Sequence, residues 1–151
     1  MTGSSDPHDL QRFVEAQDPV IDGVRKELRS GRKDTHWMWY VFPQVEGLGS
    51  SQLSRRFAIS SRAEAEAYLE HPILGSRLRE CTELVNAIEG RSAKDVFEPP
   101  DDLKFQSSMT LFEAVADDPT PFSRALDRYY DGDQDYDGSR DSKTLEFLAN
   151  S

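Results

Sequence analysis

The chain has 151 residues, 36% hydrophobic, 30% charged and 10% aromatic, a composition that fits one globular domain and excludes a disordered chain. Its 28 acidic against 18 basic side chains leave a formal net charge of −10, which argues against nucleic acid or an anionic membrane surface as a general partner. A single cysteine, Cys81, excludes an internal disulfide and a thiolate metal cluster and fits a reducing compartment.

No apolar run approaches the roughly 18 residues of a membrane span. The stretch "MTGSSDPHDL" has neither the basic start nor the apolar segment of a signal peptide. A cytoplasmic protein is therefore expected.

Helical spacing dominates the chain. In "DLQRFVEAQ", Leu10, Phe13 and Val14 share a face. Val20, Ile21, Val24 and Leu28 repeat the pattern, with Gly31 as a stop. Ser61 with Glu64 predicts a capping box ahead of "RAEAEAYLE", and Pro72 ends that helix and opens the next. The next carries Ile73, Leu74, Leu78, Cys81, Leu84, Val85 and Ile88 as one apolar stripe, closed by Gly90.

Ser92 predicts a short capped turn. Phe105, Met109, Phe112 and Ala116 predict a helix over "DDLKFQSSMTLFEAVA", with Asp101 as its N-cap. Pro121 opens a helix carrying Phe122, Leu126 and Tyr129, and "SKTLEFLA" is the last. The reading is an all-α fold, a single compact domain over residues 6–150 built around a central aromatic segment, with an acidic loop at about 131–141.

The aromatic segment is "THWMWYVFPQVEGLGSS". Seven of the eight residues from His36 to Pro43 are apolar or aromatic. Helix and strand both leave apolar groups on every side, so periodicity does not choose between them. Pro43 predicts that any helix stops near Val41 or Phe42.

Two roles stay open. A segment apolar all round is commonly core, with His36 a buried, hydrogen-bonded histidine. Alternatively, polar groups converge on the aromatics to make a cleft for a planar or sugar-like ligand.

The runs "DLQRFVEAQ", "SGRKDTHWMWYVFPQVEGLGSS", "AYLEHPILGSRLREC", "PPDDLKFQSSMTLF", "YYDGDQD" and "TLEFL" span Asp9 to Leu148. Through them the chain resembles the bacterial domain-of-unknown-function family 1810. The resemblance implies a mainly helical single domain and no settled activity. Some members carry the label calpastatin, which does not fit: that inhibitor works through disordered repeats, and this chain has a core and none.

Members of the family commonly read Gly-x-x-Asp-x-x-Thr-Leu. Here Gly132 and Asp135 match the first half, and Asp141, Thr144 and Leu145 the second. The residues between resemble an insertion, and either Asp135 or Asp141 can hold the family's aspartate position.

Three groups of residues carry candidate chemistry. His36, Trp37, Trp39, Tyr40 and Gln44, with Asp102, Lys104 and Ser108 of "PPDDLKFQSSMT", are the expected lining of a ligand pocket. No G-x-S-x-G turn accompanies the His, Asp and Ser residues, which argues against serine nucleophilic catalysis.

In the acidic loop, Asp133, Asp135, Asp137, Gly138 and Asp141 fit the start of a calcium loop. Thr144 stands where a bidentate Glu belongs, so a solvated loop is the competing reading. His71, before Pro72, reads as a cap or packing residue, and Cys81 as an inert core thiol.

The functional expectation is a small-ligand-binding protein or minor hydrolase for a nucleotide-like or sugar-like molecule. The alternative is a non-enzymatic acidic adaptor whose partner is a protein.

Overall fold

The computed structural model describes residues 6–150. These form α1 (Gln11–Gln17), α2 (Ile21–Arg29), α3 (Met38–Val41), α4 (Gln52–Arg56), α5 (Arg62–Glu70), α6 (Leu74–Asn86), α7 (Ala93–Val96), α8 (Asp101–Val115), α9 (Thr120–Tyr129) and α10 (Ser142–Ala149). The fold is all-α. The one extended pairing among the described residues is a parallel bridge between Val45 and Ile59. No described helix is long and apolar enough to cross a membrane.

Most helix ends follow from local chemistry. Gly31 terminates α2 at φ +89°, a value a β-carbon disfavours. Ser92 and Asp95 form the reciprocal capping box of α7. The turn between α5 and α6 is held by His71, whose Nδ1 accepts from the N–H groups of Ile73 (3.1 Å) and Leu74 (3.2 Å). A β-carbon on Gly75 would stand 2.1 Å from the Leu69 carbonyl oxygen, so only glycine permits this crossing.

Three local expectations are corrected, and one helix is unexpected. Ile73 is 43% exposed and precedes α6, so the buried stripe starts at Leu74. Asp101 is the first residue of α8 rather than its cap, because the cap position falls on Pro100. Ser61 Oγ does accept from Glu64 N–H (3.0 Å), but Glu64 bonds Ser60 and pairs with Arg12 at 2.8 Å instead of closing the box. α4, begun by Ser51, has no counterpart among the expected helices, since it buries no side chain and so leaves no apolar stripe.

α8 runs through the centre and packs against α3, α5, α7, α9 and α10. Phe105, Met109, Leu111 and Phe112 on it are wholly buried. Phe105 stacks on Phe97 at 4.6 Å between centroids and meets Phe42 edge-on at 5.0 Å. Such pairs add specificity to the burial energy.

The aromatic segment resolves as one helical turn that ends before Pro43, as that proline requires. Trp37, Met38, Val41 and Phe42 are buried, Trp39 and Tyr40 half-buried, and His36 exposed. His36 is therefore not the core histidine that the apolar surroundings predict.

Candidate functional site

The aromatic run is fixed from outside by charge. Glu27 of α2 accepts from the N–H groups of Asp34 (2.7 Å) and Thr35 (3.0 Å), the Thr35 hydroxyl (2.6 Å) and the Trp37 indole (2.9 Å). Burial pulls its carboxyl up, but these bonds together outweigh it and hold the group below its ordinary range.

On the other side Asp101 accepts Lys33 at 2.8 Å and Lys104 at 3.5 Å. The Lys33 ammonium lies 5.2 Å from the Trp37 ring, and that of Lys104 lies 5.0 Å from Trp39. Both indoles are thus covered by a Lys–Asp–Lys clamp.

The structure places the residues of the expected stacking platform as follows. Trp37 is buried under the clamp. Trp39 lines a crevice of about 10 Å³ with Gln44, Ser54, Phe57 and Lys104, too small for a ring. Ser108 is wholly buried. The Tyr40 hydroxyl donates to the His36 carbonyl at 3.3 Å on the protein's outside.

Asp102 is buried as well. Its Oδ2 accepts from the Tyr136 hydroxyl at 2.8 Å and its carbonyl from Tyr130 at 2.6 Å. Of the eight expected lining residues, Trp39, Gln44 and Lys104 meet at one place.

The polar residues of α8 do other work. Asp102, Gln106, Thr110 and Glu113 recur at helical spacing along one face, and that face carries the segment 136–141. Gln106 Nε2 donates to the Gly138 carbonyl at 2.7 Å. Ser107 Oγ donates to Asp141 Oδ2 at 2.9 Å, and Asp141 N–H donates to Thr110 Oγ1 at 3.0 Å.

Arg140 closes the seam on Glu113 and on Asp127 (2.8 Å). Burial raises the Glu113 carboxyl, but Arg140 and Ser123 pull it below its ordinary value. Burial and the Asp102 carboxylate push the Tyr136 phenol up, which keeps it a donor.

These bonds disperse the four aspartates of the calcium reading. Asp135 pairs with Lys94 at 3.1 Å, and Asp133 caps the Asp135 N–H at 2.9 Å. Asp141 Oδ2 is taken by Ser107 and Thr144, while Asp137 is exposed. Among the described residues no group of three or more His, Cys, Asp or Glu is placed to hold a metal ion. Asp141, not Asp135, is the aspartate bonded to Thr144. Cys81 is buried and its thiol is pushed up to about 12 by burial, which makes it inert.

A groove of about 470 Å³ opens where three segments meet: the turn 44–49, residues 100–107 and residues 137–143. Its polar groups have unspent capacity. Gln44 presents its amide and Lys143 its ammonium, neither with a side-chain partner among the described residues. Asp141 keeps Oδ1 free while Oδ2 is engaged.

Lys104 shares its one carboxylate with Lys33, so the trio keeps a net positive charge. Leu48, Pro100 and Leu103 supply apolar wall. Lys143 had no signal in the sequence beyond being one lysine in a short helix.

A family model described as "Protein of unknown function (DUF1810)" matches residues 7–148. Among solved structures, the conserved hypothetical protein Rv1873 from Mycobacterium tuberculosis is similar, with 54% identity and a TM-score of 0.90. The match covers 95% of this chain and 99% of that one. No curated protein matches.

Proposed function

The chain belongs to the DUF1810 family, and from that premise we propose that it is a small-molecule-binding protein whose site is the groove between the 44–49 turn, α8 and the start of α10. The observation that carries this is the convergence of Gln44, Lys104, Lys143 and the free Oδ1 of Asp141 on one concavity with an apolar wall. A few placed polar groups on an otherwise packed surface are the usual make-up of a ligand site.

The groove's chemistry favours binding over bond cleavage. Its serine, Ser107, is bonded to Asp141 and to its own helix carbonyl, and the exposed His36 does not line it. The ligand is a small polar molecule rather than a base or sugar stacked on tryptophan, because the clamp covers both rings.

Thermal-shift screening of a metabolite library tests this. A true ligand at a hundred times its Kd adds about 2.7 kcal/mol, and Gln44→Ala and Lys143→Met should each reduce the shift. Stabilisation that neither change touches places the ligand elsewhere and ends the proposal.

Leu103 lines this groove and is 51% exposed, which favours a second reading, a protein partner. Under it no metabolite shifts the wild type, and Leu103→Ser abolishes partner binding.

A further inference from the structure

The groove has a second lobe. A neighbouring concavity of about 390 Å³ shares Leu103, Gln106, Asp137, Asp141 and Ser142 with the first. The charges are not mixed evenly across the two. Lys104 and Lys143 line only the first lobe, with the Gln44 amide.

The second lobe contains one cation, Arg140, whose guanidinium is spent on Glu113, Asp127 and Ser139. Asp135 is likewise spent on Lys94. What stays available where the lobes join is acidic: Asp137, exposed and without a side-chain partner among the described residues, and Oδ1 of Asp141. Leu103 lines both lobes, while Leu48 and Pro100 continue the apolar wall on the basic side.

We propose that the ligand of this groove carries two opposite charges joined by an apolar spacer. Its anionic group lies against Lys143, Lys104 and the Gln44 amide, its ammonium at Asp137 and Asp141, and its methylenes along Leu103. The proposal rests on reading the groove as a small-ligand site. A molecule with one charge leaves the opposite set of groups facing its apolar end, which costs affinity at that end. A zwitterion satisfies both sets, and each charge-assisted contact at a partly exposed site contributes roughly a fivefold gain.

The probes are the ω-amino acids from 4-aminobutanoate to 8-aminooctanoate, with hexanoate and hexylamine as single-charge controls. Binding to the whole chain is followed by amide chemical shifts and calorimetry at neutral pH. At least one ω-amino acid should bind about tenfold tighter than both controls, with the best spacer reporting the span between the charged groups.

Asp137→Asn should weaken the amino acid and leave hexanoate unchanged, while Lys143→Met should weaken both. Both side chains are exposed, so neither change threatens the fold. Hexanoate binding as tightly as the amino acids would overturn the two-charge proposal and leave the ligand site standing. A metabolite screen that yields a ligand while every ω-amino acid stays silent would do the same. Silence from every probe and from the screen overturns both readings.

Discussion

A single carboxylate decides where the aromatic run sits. Glu27 gathers four donors from Asp34, Thr35 and Trp37, and the indole it holds belongs to a residue only 1% exposed. Removing the acceptor leaves a buried N–H unpaired, which costs more than the bond itself contributes. Glu27→Ala should lower stability by about 2–3 kcal/mol in urea unfolding. Glu27→Gln, which keeps one acceptor oxygen, should lose less. A loss below about 0.5 kcal/mol for the alanine variant would mean that the clamp of Lys33, Asp101 and Lys104 holds the segment unaided. Each indole also has one of these lysines over a face, which takes that face from a stacked ligand.

At the scale of elements, α8 is a polar rail as much as a core helix. One side buries Phe105, Met109 and Phe112, and another carries the 136–141 segment through Asp102, Gln106, Ser107, Thr110 and Glu113. Arg140 is the cross-link with the most partners, so Arg140→Met should release the segment without unfolding the domain. Hydrogen exchange should quicken by about tenfold for amides 136–141 and stay unchanged in α6, with a global loss of about 1–2 kcal/mol. Unchanged exchange across 136–141 would put the anchoring on the bonds from Gln106 and Ser107 instead.

The same contrast explains which features are legible in the sequence. Ser92 with Asp95, Pro121 and Pro43 act on their immediate neighbours, and each sets its helix boundary as expected. Glu64 turns to Arg12 and Asp101 to Lys33, partners remote in the chain, so their local signatures mislead. Gln44, Lys104 and Trp39 are legible as site candidates because they lie in the two most distinctive runs. Asp137 and Lys143 join the groove only because residues 137–143 lie against α8, which no periodicity encodes.

For the whole molecule the governing question is how a chain of net charge −10 responds to acid. Protonating carboxylates relieves self-repulsion, which favours the folded state. Against this, Glu27, Glu113 and Asp6 are held low in the fold: burial raises each, and hydrogen bonds outweigh it. The unfolded chain therefore takes up protons first. The stability these groups supply is complete above their unfolded values, 4.5 for glutamate and 3.8 for aspartate, and drains away as pH falls through the folded ones. Repulsion between surface charges is screened beyond about 10 Å at 0.1 M salt, whereas bonds under 3 Å are not, so at that ionic strength the specific sites win. Urea midpoints should be nearly level from about pH 7 to 5 and fall progressively below the unfolded glutamate value. The gap between wild type and Glu27→Gln should narrow over the same descent, because acid does to Glu27 what the substitution does at neutral pH. A gap that stays constant from about pH 6 to 3 would mean that Glu27 is not titrating with the fold, and the anchor of the aromatic segment would then have to be sought in the uncharged packing of Trp37 against Phe42.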